Sequence, residues 1–228
     1  MSTKAFWQLG KLYDGDEPLM GLPNEVIFAN GQWQGFLMDE NKCQEIVQLA
    51  LTQPQWKPRN QAEQDPNWQQ IYPFALFKYQ DHYAEFKRGT TASDTRMNLK
   101  YTLGVGGHFF QQEFDQFKTL ENYIIQIFHQ DIEYQGNLKA KCIGVVNDKS
   151  DDLNDYHVGI VYVLEGDNPD IKSKIHTETR LAKLADMTGE DVGFLERWSQ
   201  MIYRQLRDKE IADQTGAPQH FHISHLMG

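Results

Sequence analysis

The segment YTLGVGGHFFQQEF, residues 101–114, packs Gly104, Gly106 and Gly107 into four positions and follows them with His108 and Glu113. A glycine-rich turn that opens onto a helix lets the backbone approach a phosphate, and the helix N-terminus adds its positive end. Gly106, Gly107 and His108 are therefore candidates for an anion-approach loop, with His108 as donor. A tight strand-to-loop turn requiring positive φ would account for the same glycines. Arg59, Arg88 and Arg96 are candidate anion grips, because guanidinium groups suit phosphate. Surface ion pairing with the chain's many acids is the simpler role for any one of them. Glu113, Asp115, Glu121, Asp131 and Glu133 supply carboxylates near the turn. Of these, Glu113 could ligate a metal or stand as a solvated loop acid, and the second is the simpler reading. His129 could act as a base or metal ligand, although an exposed helix histidine usually does neither; His157 precedes an apolar strand and could simply bond the backbone. His220, His222 and His225 could take zinc adventitiously, though a chain terminus needs no such role. Trp33, Trp56, Trp68 and Trp198 could stack a base, but tryptophan is more often core.

These residues need elements to position them. KTLENYIIQIFHQDIEY carries Leu120, Tyr123, Ile124, Ile127 and Phe128 at i, i+3, i+4, i+7 and i+8. That stripe predicts a helix from Thr119, its N-cap, to about Glu133, packed on a sheet. IYPFALFKYQDHYAEFKRG reads as a hairpin turning at Gln80–His82, and MNLKYTLGVGG as a strand ending at the glycines. LKAKCIGVVND and YHVGIVYVLEG are β-branched runs that read as strands. A last long helix is expected from Gly189–Glu190 through VGFLERWSQMIYRQL. Upstream, NEVIFANGQWQGFL reads as one strand with a turn at Asn30–Gly31, DENKCQEIVQLALTQ as a helix, and PQWKPRNQAEQDPNW as an ordered loop or linker. The expected organisation is an N-terminal extension over 1–68, an α/β domain over 69–206 and a tail over 207–228.

Composition limits the function classes. The 228 residues are 40% apolar and suffice for a sizeable core. Thirty-two acidic against 22 basic residues give a formal charge of −10. That balance argues against duplex nucleic acid or an anionic membrane as the main partner, since both need a basic footprint. Cys43 and Cys142 are far apart with no CxxC, which suggests neither a zinc site nor a disulfide framework. With no apolar run of transmembrane length and no secretory h-region, the expected location is the cytoplasm.

LGVGGH at a strand end, a helix after it, then IGVVND and HVGIVYVL resemble the Nudix superfamily of pyrophosphohydrolases. WQGF at 33–36, KPRNQAEQDPNWQQIYP at 57–73, FKRG at 86–89 and ERWSQ at 196–200 resemble a phosphoesterase-like branch of it. The resemblance runs from about residue 25 to about residue 205. It implies an α/β/α sandwich around a mixed β-sheet, here with the N-terminal extension packed on it. The implied chemistry is hydrolysis of a nucleoside diphosphate linked to another group, using magnesium or manganese held by helical glutamates.

The family signature is Gly, five residues, Glu, seven residues, then Arg-Glu-apolar-x-Glu-Glu. Gly107 and Glu113 match its first half by spacing. Counting onward sets Glu121-Asn122-Tyr123-Ile124-Ile125-Gln126 over the second half, where only Tyr123 fits. Sliding by four residues puts Ile125 at the arginine and Gln126, His129 and Gln130 at the carboxylates. Neutral side chains make a poor site for a hard dication. Two expectations follow. One is a Nudix-fold nucleotide-binding module, catalytically impaired and needing no metal. The alternative is an active, divergent magnesium- or manganese-dependent hydrolase with a displaced acidic site, using Glu113 and Glu121 in catalysis and Glu113 and Glu133 as metal ligands. The expected partner is a small nucleotide-type ligand, with a homodimer as an open expectation.

Overall fold

The computed structural model describes residues 6–8, 11–13, 16–90, 98–114, 116–117, 119–150 and 155–215. The first part of the chain forms β1 (Phe6–Gln8), β2 (Lys11–Tyr13), β3 (Pro18–Pro23), α1 (Asn24–Ile27), β4 (Gly35–Leu37), α2 (Glu40–Thr52), β5 (Gln55–Pro58) and α3 (Arg59–Ala62). The middle forms β6 (Trp68–Tyr79), β7 (His82–Lys87), β8 (Tyr101–Thr102), β9 (Gly104–Gly106), α4 (Gln111–Phe114) and α5 (Leu120–Asp131). Then come β10 (Ile132–Tyr134), β11 (Leu138–Asn147), β12 (His157–Gly166), β13 (Ile171–Ser173), β14 (Glu178–Ala182), α6 (Gly189–Phe194) and α7 (Arg197–Thr215).

The main sheet runs β14-β7-β6-β12-β11-β4, with β3 and β9 also on β6, β8 on β7 and β5 on β3. β6 and β12 are parallel over Gln70–Lys78 and His157–Glu165, while the other pairings are antiparallel, so the sheet is mixed. Period-two alternation then decides which helix each residue meets. On β6, Ile71, Ala75 and Phe77 join the core under α2 and α5. Phe74 and Leu76 join a second core, under Trp198, Ile202, Tyr203 and Leu206 of α7. Helices on both faces of a mixed sheet make an α/β/α sandwich. Residues 18–58 contribute β3, β4 and β5 to that sheet, so the N-terminal region shares its hydrogen bonding. No helix among the described residues is long and apolar enough to cross a membrane.

Several local expectations are corrected by tertiary pairing. The proline- and asparagine-rich PQWKPRNQAEQDPNW is not a loop throughout: Gln55–Pro58 pairs with β3, and a helical turn, α3, follows. In NEVIFANGQWQGFL the first residues form α1, and the strand is Gly35–Leu37, held against Val145–Asn147 of β11. α5 ends at Asp131, so Glu133 lies in strand β10 and not on the helix.

The long last helix is broken at Leu195, which is extended, fully buried and bridged to Tyr101. Glu196 restarts it. Its carboxylate accepts from the Trp198 N–H at 2.9 Å, the Ser199 N–H at 2.7 Å and the Ser199 hydroxyl, while its own N–H donates to Tyr101 O at 2.9 Å. Cys43 on α2 and Cys142 on β11, 99 residues apart, are disulfide-bonded, contrary to the expectation from their spacing.

Candidate functional site

The glycine strand explains how the site is built. β9 lies against β6 with Gly106 opposite Phe74 and Gly104 opposite Leu76. A Cβ at Gly104 would stand 2.6 Å from Ala75 O; one at Gly106 would stand 2.4 Å from Pro73 O and 2.5 Å from the Tyr72 ring. Close approach therefore requires these two glycines, and positive φ does not, because the described glycines with that geometry are Gly31 and Gly35.

The strand delivers His108 beside Tyr72 and His157. The Tyr72 ring meets His108 edge-on at 5.1 Å between centroids, His157 at 5.7 Å and Trp198 at 5.8 Å. The two imidazole Nε2 atoms are 3.4 Å apart. His108 is buried, and burial, then the charge of Arg59, then His157 hold its pKa well below the ordinary value. Burial pushes the Tyr72 phenol up to about 12, with the positive charge of Arg88 the largest opposing effect and Arg59 adding to it. At neutral pH this cluster therefore holds a neutral imidazole at His108 and a protonated phenol at Tyr72, in the field of Arg88 and Arg59 and, opposing them, of Asp131 and Glu196. That arrangement suits an anion with hydrogen-bond acceptors.

Arg59 begins α3, where its Nε donates to Glu63 at 2.7 Å. Arg88 follows β7, and its buried Nε has no hydrogen-bond partner among the described residues. Arg88 also faces a second group of titratable side chains. Burial raises Asp131, at the end of α5, to about 6 against the pull of Arg88 and Lys174. Burial and then Arg88 lower His176 to about 4. His176 Nδ1 is 2.9 Å from Ser173 Oγ, which is itself 3.4 Å from Asp131 O.

On the other side of the turn the chemistry is closed. Glu113, in the single turn α4, is 1% exposed rather than solvated. The Tyr123 hydroxyl donates to His108 O at 2.7 Å and lies 3.3 Å from a Glu113 oxygen, so one proton is shared between the turn and the acid. Glu121 is exposed at the start of α5. Glu133 is exposed on β10, opposite Lys172. At about 1.5 Å per helical residue, the ten steps of α5 from Glu121 to Asp131 alone separate these two acids by roughly 15 Å, so they cannot share an ion. On α5 itself, Ile125 packs partly buried against the core, Gln126 is exposed and His129 and Gln130 are half-buried. Among the described residues no three His, Cys, Asp or Glu side chains gather to hold a metal. A sealed glutamate beside neutral side chains does not fit magnesium or manganese, which take clustered, charged oxygens.

Of the candidate binding residues, His108 and the glycines stand together, Arg59 and Arg88 bear on the same tyrosine, and Arg96 lies outside the described residues. Asp115 and the three tail histidines lie outside them as well. Trp33, Trp68 and Trp198 are buried and Trp56 is half-buried. Sequence reasoning missed Tyr72 and the joining of His157 to His108. Their parity with Phe74 and Val161 on adjacent strands was the available signal, but it needed the β6–β12 register to be used. It also missed Asp148, fully buried, which accepts from Arg197 Nε at 2.6 Å and Gln34 Nε2 at 2.8 Å and fixes the start of α7.

No family model matches the chain. It is similar to protein YmaB of Bacillus subtilis, 24% identical over 204 residues, spanning 85% of this chain and 98% of that protein. Among solved structures it is similar to Tm1382, provisionally classed as a Nudix hydrolase, with a TM-score of 0.66, 19% identity and coverage of 83% of this chain and 98% of that one. The NUDIX domain of Shewanella oneidensis NrtR, solved with ADP ribose, aligns with a TM-score of 0.47 and 13% identity over 62% of this chain and 88% of that one. The chain has the Nudix fold.

Proposed function

Starting from that fold, we propose that this chain is a nucleotide-binding module in which metal-dependent hydrolysis has been lost. The reading rests on Glu113: the one glutamate retained at signature spacing is buried and shares the proton of Tyr123. An acid committed to the interior is not available to a hydrated dication, whose ligands must converge on an open position. The other side of the same turn keeps what binding needs. His108 and Tyr72 are uncharged donors, Arg59 and Arg88 supply positive charge, and Gly106 lets the strand that leads to His108 lie close against β6. The ligand class is a nucleoside diphosphate or a derivative of one, with its phosphates toward Arg59, Arg88 and His108.

The test is thermal melting of the purified chain with ADP, without and with magnesium or manganese, beside a phosphate-release assay on a panel of dinucleotides. The expected result is a rise in Tm with ADP alone, independent of metal, and no turnover. Metal-dependent phosphate release that disappears in Glu113→Gln would overturn this reading and establish a hydrolase with a displaced acidic site.

A further inference from the structure

The Cys43–Cys142 bond joins two elements that need no covalent link to stay together. α2 buries Ile46 and Ala50 in the main core and is capped by Asp39, whose carboxylate accepts from the Asn41 and Lys42 N–H groups. An ion pair between Lys141 and Glu40 joins the same two elements beside the cysteines. α2 therefore remains docked when the sulfurs part, and the bond can open and close in the folded chain.

The two cysteines differ in burial. Cys43 is fully buried beneath α2, whereas Cys142 is half-buried on β11. The ladder between β11 and β12 shifts register between Cys142 and Gly144, and β4 pairs β11 only from Val145 onward. Among the described residues, Cys142 thus lies on a stretch of β11 with a strand on one side only. The Cα atoms are 6.4 Å apart, within the range a disulfide spans.

We propose that Cys142 is a thiol–disulfide exchange site for a low-molecular-weight disulfide of the glutathione class, with Cys43 as its resolving thiol. The Cys142 thiolate attacks a sulfur of the small disulfide, forming a mixed disulfide and expelling one thiolate. The Cys43 thiolate then attacks the Cys142 sulfur, closing the internal bond and expelling the second. The protein loses two electrons and two thiol protons; the small disulfide gains the electrons, and its two thiolates take up the protons. The closed bond spans a sequence separation of 99 residues that contains the glycine turn and α5, so it restrains the unfolded chain strongly. This site stands independently of the nucleotide-binding reading.

The experiment treats the fully reduced chain with glutathione disulfide and follows intact mass over time, then compares melting with and without reductant. The wild type should pass through one glutathione adduct to an internal disulfide and melt about 5–15 °C higher than the reduced chain. Cys43→Ala should accumulate the adduct at Cys142, and Cys142→Ala should stay unmodified while folded. No internal bond in the wild type, equal melting temperatures in the two redox states, or Cys142→Ala reacting as fast as Cys43→Ala would each overturn the proposal.

Discussion

The two sides of the glycine turn face opposite chemistries through the same few residues. Toward Tyr72 the turn presents His108 to His157 and to the charges of Arg59 and Arg88. Toward α5 it presents a carbonyl to Tyr123, which also covers Glu113. One side is a polar cluster acted on by Arg88 and Arg59; the other is a hydrogen-bonded piece of core, with Tyr123 stacked on Phe109 at 4.4 Å and Ile124, Ile127 and Phe128 buried behind it. A glutamate at signature spacing from a glycine can thus be buried against a tyrosine hydroxyl. Identity and spacing do not report that burial.

The strongest way to break this contrast is Glu113→Ala. Removing a buried hydrogen-bond acceptor should cost about 1–3 kcal/mol, or roughly 2–12 °C in Tm for a chain of this size. ADP affinity of the protein that remains folded should be unchanged. Lost affinity at unchanged stability would place Glu113 on the ligand side of the turn after all.

The pH dependence sharpens the contrast at Asp131 and His176, the second group that Arg88 faces. His176, lowered to about 4, stays neutral in the folded chain while the unfolded chain protonates near 6.5, so its contribution to stability is lost as pH falls through that window. Asp131, raised to about 6, binds its proton more tightly when folded, so its contribution appears as pH falls from about 6 toward 3.8 and is lost on going back up. The two oppose each other in the wild type. Asp131→Asn should be more stable than the wild type at pH 7 by about 1–3 kcal/mol. It should also lose stability more steeply between pH 6.5 and 4, as read from denaturant midpoints at each pH. Parallel curves for the two proteins would rule out the buried carboxyl.

The smallest effect tests the polar side. Arg59 is half-buried and ion-paired to Glu63, and such a partly exposed pair contributes little to stability. Arg59→Met should change stability by less than about 1 kcal/mol and weaken ADP binding about three- to tenfold, measured by titration calorimetry at fixed ionic strength. Unchanged affinity would remove Arg59 from the binding set.

Much of the fold was legible because periodicity is local. The stripe from Leu120 to Phe128 placed α5 and its Thr119 cap, and the β-branched runs in LKAKCIGVVND and YHVGIVYVLEG placed β11 and β12. The break before α7 was not legible, since VGFLERWSQ has good helical character. Leu195 leaves the helix because its backbone bridges Tyr101 and its side chain is buried, both of which depend on a strand some ninety residues earlier.

By itself the sequence determined which residue types stand at the glycine turn and on the helix after it. Gln126, His129 and Gln130 carry no negative charge for a hard metal, and Gly104, Gly106 and Gly107 offer a backbone without side chains. Only the tertiary structure decided where the surviving residues face. Glu113 is sealed because Tyr123 reaches it from α5, His108 meets His157 because β9 and β12 flank β6, and Cys43 meets Cys142 because α2 lies against β11. Residue type fixes what a group can donate, accept or ligate; long-range strand register and helix packing fix what it can reach.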